Sequence, residues 1–220
     1  MKTPGRFLYW GKLSTDRRKK LSVGFNPYGE MVDGGRGDTW RLGLSLSARP
    51  RPNIQFELAP TYRSESNFAQ WIDNIDDNGD DNDDHFVFGE LESRTFDLTT
   101  RLNVAFSPTL TLQTYVQSFA AAGDYRNIKE LARPEPYDFD PYAGLNDNPD
   151  FSRRSLRGNM VLRWEYRPGS ALFLVWSQSR RADLDQAVDP ELRPLAGVQD
   201  SFTDEGNNIF LVRLNYWLGI

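Results

Sequence analysis

The chain contains no cysteine, which excludes disulfide bonds and thiolate metal centres. It also has no run approaching the roughly 20 apolar residues that a membrane-spanning helix needs, and its mean hydropathy is −0.61. Neither deficit excludes a transmembrane β-barrel, because barrel strands alternate apolar and polar residues and give only a weak hydropathy signal. The net charge of −5 argues against a nucleic-acid partner, which requires clustered Lys and Arg without offsetting acids.

The N-terminal segment lacks the apolar core of a cleavable signal peptide. Lys2–Arg6 leads directly into the short run Phe7–Trp10. An exported protein with this sequence needs its signal elsewhere, so we expect that residue 1 is not the natural start.

Period-2 alternation is the main secondary-structure signal. In Leu110–Gln117, apolar residues occupy every second position with Thr, Gln or Tyr between them. This pattern is typical of strands with one apolar and one wet face. Aromatic residues make up 13% of the chain, with six Trp and nine Tyr, which suits strands and interfacial girdles. The pattern predicts about nine strands, near residues 6–13, 20–28, 39–48, 53–63, 93–106, 109–121, 154–167, 171–181 and 207–218.

The connections between these strands alternate in length. Short turns rich in Pro, Gly and Ser fall at 14–19, 49–52, 107–108 and 168–170, and long polar connections fall at 27–38, 64–93, 122–153 and 181–206. This succession predicts an all-β, antiparallel up-and-down transmembrane β-barrel with short periplasmic turns and long outer loops. A soluble β-sandwich remains an alternative, because soluble antiparallel sheets show the same alternation.

The strand count bears on the domain organisation. Single-chain bacterial barrels have even strand numbers, so nine strands favour a fragment of a larger barrel. We therefore expect residues 1–220 to be the C-terminal part of one β-barrel domain, incomplete on its N-terminal side, with the missing strands and outer-membrane lipid as its partners.

Assigning the two faces predicts a set of lumen-lining residues. Leu162 and Trp164 fall on one side of their strand, and Arg163 falls on the other. A wall of Arg and Gln side chains suits binding or passage of anionic or hydroxylated solutes. The alternative is a self-satisfied network of ion pairs that fills the lumen. The binding candidates are Arg41, Arg101, Gln113, Gln117, Arg157, Arg163, Trp176 and Arg213.

Metal binding and catalysis receive weak support. The acidic stretch Asp73–Asp84 partly matches the start of a calcium loop, with Asn74, Asp76, Asn78 and Asp80 as candidate ligands. His85 stands where a closing Glu is expected, so a solvated loop is favoured over calcium, and no other cofactor is expected. His85 is the only histidine, and no nucleophile motif accompanies it, so we expect no enzymatic activity.

One predicted loop contains further structure. Asp124 and Pro134 predict a short helix over residues 123–134 as its N-cap and its stop. The aromatic residues of Tyr137–Tyr142 either stack on sugars or pack within the loop.

Several segments resemble a known family. They are residues 155–178, 88–96, 111–113, 123–125 and 210–217. The chain resembles the C-terminal outer-membrane β-barrel domain, of unknown function, that follows a family-nine-like carbohydrate-binding domain in Gram-negative surface proteins. The resemblance implies an outer-membrane location and an upstream domain, to which any carbohydrate role belongs by implication, and it supplies no catalytic residues.

Together these observations predict a barrel segment that anchors a surface protein and binds or passes a carbohydrate-type ligand. Two alternatives remain open: an inert anchor for an upstream glycan-binding or glycoside-hydrolysing module, and a soluble β-sandwich binding module.

Overall fold

The computed structural model describes residues 4–76, 85–133, 137–184 and 194–219. They form one antiparallel sheet in which neighbouring strands follow the order β1-β3-β4-β5-β6-β7-β9-β10-β11, while β2 pairs with β3 and β8 pairs with β7. The strands are β1 Arg6–Trp10, β2 Leu13–Ser14, β3 Leu21–Val32, β4 Gly37–Arg51, β5 Ile54–Ile75, β6 His85–Ser107, β7 Leu110–Arg133, β8 Asp138–Pro141, β9 Phe151–Arg167, β10 Ser170–Leu184 and β11 Gly206–Asn215. A 3₁₀ turn spans Asp33–Gly35, and helix α1 spans Pro194–Ser201.

The predicted all-β, antiparallel up-and-down architecture is confirmed, with the short strands β2 and β8 added to the nine of the main path. The predicted short turns also lie between consecutive strands, as at the β6–β7 and β9–β10 connections. The sheet is open: β1 and β11 stand at its two ends, and among the described residues each pairs with main-path neighbours on one side only.

Three strands extend well beyond their predicted ends, so the predicted loops at 64–93 and 122–153 were too long. In the extension of β5 and β6, Ser64 pairs with Arg94 and Glu65 pairs with Ser93. Residues 64–67 of β5 are all polar, whereas Val87 and Phe88 of β6 are adjacent and both buried, so neither segment shows the alternation that marks a strand in the sequence. The backbone ladder does not depend on that alternation, so pairing continues.

The helix predicted over residues 123–134 is wrong, because β7 continues as a strand to Arg133. Lys129 pairs with Phe88 in β6 and with Pro141 in β8, so this segment has neighbours on both sides. The carboxylate of Asp124, expected to cap the helix, instead accepts from Arg126 Nε at 2.9 Å. Long-range pairing has overridden the local helix signal.

The predicted loop at 27–38 is also much shorter. β3 runs to Val32 and β4 begins at Gly37. The reversal between them uses Gly34 and Gly35, whose φ angles of 75° and 68° lie in the left-handed region that glycine tolerates. These two glycines make the tight connection possible.

Helix α1 packs on the sheet over β7, β9 and β10. Ser201 and Ser118 are buried, and their hydroxyls lie 3.2 Å apart. Beside them, Arg154 donates from Nε to Asp204 at 2.7 Å, and a second Arg154 nitrogen lies 3.0 Å from Asp200. No helix in the described ranges is long and apolar enough to cross a membrane.

The contacts of Arg154 with Asp200 and Asp204 predict that this arginine holds the segment containing α1 against the sheet. Asp204 is 9% exposed, and removing its partner leaves a nearly buried carboxylate uncompensated, at a local cost of about 3 kcal/mol. Arg154→Gln is therefore expected to increase hydrogen–deuterium exchange at residues 198–204. The matched control is Arg153→Gln, because Arg153 is exposed and its Nε lies 3.5 Å from Asp183. Equal exchange in the two variants would contradict this role for Arg154.

Candidate functional site

The pairing register places seven of the predicted lining residues on one face of the sheet, which we call the polar face. Gln117 pairs with Arg157, and residues two apart along a strand share a face. Because paired residues on neighbouring strands also share a face, the register places seven residues on the same side of the sheet. They are Arg41, Arg101, Gln113, Gln117, Arg157, Arg163 and Arg213. That these residues bind a ligand stays a prediction.

The eighth residue, Trp176, lies on the opposite face, so its assignment to the lining set was wrong. It pairs with Met160 and Phe210, and its ring stacks on that of Phe210 with centroids 6.4 Å apart. Trp176 shares the parity of Leu172 and Leu174, which fixes its side. Its indole N–H donates to Asn208 Oδ1 at 3.0 Å, so the polar end of the ring has a partner on that face.

Much of the polar face satisfies its own charges. Arg63 pairs with Glu65 at 2.7 Å, and Arg163 pairs with Glu165 at 2.7 Å. Arg101 lies 3.6 Å from Glu57 and also covers the ring of Tyr115 at 5.2 Å from its centroid. These contacts match the self-satisfied network that the sequence left open as an alternative.

One cavity on the polar face has more positive than negative side chains around it. It has a volume of about 390 Å³ and lies over β7, β9 and β10. Its lining includes Arg153, Arg157 and Arg181, with Gln117 and Ser155 between them. Arg153 and Arg181 share the single carboxylate of Asp183, from 3.5 Å and 3.1 Å. Arg157 makes no ion pair or side-chain hydrogen bond in the described part of the chain.

Sequence reasoning placed Arg157 and Gln117 on this wall but missed Arg153 and Arg181. Both lie where the predicted strands end, since residues 122–153 and 181–206 were read as loops. The available signal was the run of arginines at 153, 154 and 157, which continues the alternation past the apolar residues.

A second cavity, of about 330 Å³, lies at the other end of the sheet near β1, β3, β4 and β5. Its charges are compensated: Arg6 pairs with Glu30 at 2.9 Å, and Arg63 pairs with Glu65. Arg36 covers the ring of Tyr137 at 5.5 Å. This cavity therefore has less unbalanced charge than the first.

The aromatic residues near β8 pack within the protein. Phe139 contacts Phe68 and Phe88, with ring centroids 6.0 and 5.4 Å away. Lys129 Nζ lies 3.2 Å from the Phe68 ring centroid and 3.4 Å from Glu90 Oε1. Burial lowers the pKa of the Lys129 ammonium group, because the charged form loses water, and Glu90 opposes that shift. The contacts favour packing within the loop over sugar stacking.

The calcium hypothesis gains no support from the described residues. Asn74 accepts from the Trp71 indole at 2.9 Å, while Asn78 and Asp80 lie outside the described ranges. Within those ranges, no group of three or more His, Cys, Asp and Glu side chains could hold a metal ion. His85 contacts Glu130 through Nδ1 and lies 5.1 Å, ring to ring, from Tyr142.

Comparison with known protein families identifies the family of this chain. The sequence profile of a family described as a domain of unknown function, DUF5916, matches residues 1–220. No curated protein and no solved structure matches the chain. Because the profile covers the entire sequence, the protein belongs to the DUF5916 family.

Proposed function

We propose that the sheet is a wall of an outer-membrane β-barrel, which anchors a surface protein and binds or passes a carbohydrate-type ligand along its polar face. The observation that carries the proposal is the exposure of large apolar side chains on the face opposite the arginines. Phe210 is 76% exposed and Val212 is 70% exposed. Water-soluble monomers rarely leave an apolar surface of this extent uncovered.

The apolar face is continuous across the strands. Leu112 pairs with Leu162, which pairs with Leu174, which in turn pairs with Val212. The full row across six strands is Ile54, Val104, Leu112, Leu162, Leu174 and Val212. A lipid bilayer is the environment that covers such a surface without a second protein layer.

The height of the apolar band fits a bilayer. On β9 the apolar positions of this face run from Leu156, which is buried in the sheet region that α1 contacts, to Tyr166, and Arg154 lies beyond Leu156 towards the long connections. At about 3.3 Å per residue and a tilt of about 40°, this length corresponds to a band about 25 Å tall. Barrels of the outer membrane carry an apolar band of that height.

Aromatic residues stand at both borders of the band. Towards the short turns, the rings of Trp164 and Tyr166 lie 6.1 Å apart. Towards the long connections, the rings of Trp40 and Tyr62 lie 5.1 Å apart. Amphipathic rings favour the depth of the lipid headgroups, so the placement supports membrane insertion.

The two edge strands of the sheet, β1 and β11, need pairing partners in a membrane. An unpaired backbone group in hydrocarbon costs several kcal/mol, so β1 and β11 each need a pairing strand in the membrane. We propose that further strands of a longer polypeptide supply this pairing, together with an upstream domain that captures the ligand. The soluble β-sandwich alternative needs a second sheet over the apolar face, and the described residues form a single sheet.

An inert anchor is the second candidate function. The ion pairs Arg63–Glu65 and Arg163–Glu165 on the polar face favour it, because a network of paired charges fills a lumen without leaving a path for solutes. Its ligand contacts would then lie in the upstream module.

Neighbouring residues on β9 provide a matched test of the lipid-facing assignment. Leu162→Arg places a charge in the apolar band, at a cost of roughly 2 to 4 kcal/mol near the midplane. Arg163→Leu changes the opposite face and is expected to have a mild effect. Assembly is measured by flotation with liposomes and by detergent-resistant folding on gels. Equal loss of assembly in both variants would refute the assignment.

Conductance separates passage of a solute from inert anchoring. The longer polypeptide, in which further strands pair with β1 and β11, is expected to give discrete current steps in planar bilayers, because the polar face carries unpaired groups such as Arg157 beside its ion pairs. The control is the same preparation of Leu162→Arg, which should fail to insert. Flotation without current steps would favour the inert anchor.

A further inference from the structure

We propose that the cavity over β7, β9 and β10 is a binding site for a small anionic sugar, one that carries a carboxylate or a phosphate group. This inference deepens the proposed function and rests on its assignment of the polar face to a ligand pathway. The cavity volume of about 390 Å³ lies in the range of sites for small ligands.

Positive charge is in excess at this cavity. Arg153, Arg157 and Arg181 line the cavity from one face, and the nearest carboxylate, Asp183, is shared by two of them. The other carboxylate nearby, Asp97, accepts from Gln117 Nε2 at 2.6 Å. The cluster therefore keeps net positive charge that an anion can neutralise.

Arg157 lies in the cavity wall without an ion-pair partner among the described residues. It pairs with Gln117 on one side and with Ser179 on the other, which holds its backbone in the middle of the cavity wall. Among the described residues its guanidinium has no protein partner. A planar guanidinium with free donors binds carboxylate and phosphate groups through paired hydrogen bonds.

Other groups in the cavity suit the uncharged part of the ligand. The hydroxyls of Ser155 and Ser179 line the same cavity and make no side-chain hydrogen bond within the described residues. Phe119 pairs with Ser155 and adds an aromatic surface. Hydroxyl groups beside an aromatic ring suit a polyhydroxylated ring, which makes a sugar more fitting than a simple anion.

Two further arginines line the cavity, but their side chains are engaged elsewhere. Arg154 and Arg180 point to the opposite face, where Arg154 lies 2.6 Å from Asp204 and Arg180 donates to the Asp204 carbonyl at 2.5 Å. They are committed to holding the segment that contains α1. The anion is therefore bound by Arg153, Arg157 and Arg181.

The test is titration calorimetry of the full chain in detergent micelles with four probes: glucuronate, glucose 6-phosphate, glucose and inorganic phosphate. We expect saturable binding of glucuronate, glucose 6-phosphate or both, weakened by added salt, and at least about tenfold weaker binding of glucose and of inorganic phosphate. The tighter of the two anionic sugars identifies carboxylate or phosphate as the preferred group. Equal binding of glucose, or no saturable binding by either anionic sugar, would overturn the inference.

Matched arginine variants locate the site. Arg157→Gln should weaken binding at least about tenfold, since it removes the charge-assisted hydrogen bonds of the guanidinium to the anionic group, and Arg157→Lys should weaken it less. The control is Arg94→Gln, because Arg94 is exposed on the opposite face beside Ala122 and makes no ion pair in the described ranges. An equal loss in Arg94→Gln would overturn the location.

Flotation of the same preparations separates the two proposals. A protein that floats with liposomes but binds no anionic sugar overturns this inference and leaves the barrel proposal intact. A protein that binds the sugar through Arg157 but stays soluble without detergent overturns the barrel proposal and leaves the site.

Discussion

The hydrogen-bonded register between neighbouring strands is the constraint on which the rest of the structure depends. Successive side chains point to opposite faces, so a slip of one residue between two strands would exchange their faces. From Ile54 to Val212 the register aligns one apolar row across six strands. The next row of paired residues along the strands lies on the polar face, and the row after that lies on the apolar face again. The apolar face and the cluster of arginines are consequences of the same ladder.

The two faces meet different environments, and the arginines show how the charge is distributed. Arg63 and Arg163 are neutralised by glutamates two residues away on their own strands. Such pairs arise directly from period-2 alternation, since residues two apart share a face. Arg157 has no acid at that spacing: its strand neighbours on the polar face are Ser155 and Asn159. Because Arg157 lacks a neighbouring acid, its guanidinium is left available to bind an anion at this part of the wall.

Sequence patterns predicted the strands and short turns well where one face is apolar. They failed where the alternation breaks down while the backbone ladder continues, as in the extension of β7 to Arg133, which begins at the consecutive buried residues Ala120, Ala121 and Ala122. They also placed Trp176 on the wrong face, since Trp suits both an apolar surface and a polar partner such as Asn208. The packing of α1 through Arg154 and Asp204 joins residues 50 positions apart. Such contacts depend on the register and leave no local pattern. Arg153 and Arg181 were missed as parts of the candidate site for a different reason, because both lie where the predicted strands end.

The central claim is that the apolar face meets lipid, and a cysteine scan of β9 tests it most directly. The chain has no cysteine, so each single substitution from residue 156 to 166 gives one spin-label site. In liposomes, collision with oxygen reports lipid exposure, and collision with a water-soluble nickel chelate reports aqueous exposure. The account predicts a period of two, with labels at 160, 162 and 164 accessible to oxygen and labels at 159, 161 and 163 accessible to nickel. Uniform access of the nickel chelate along the strand would contradict it.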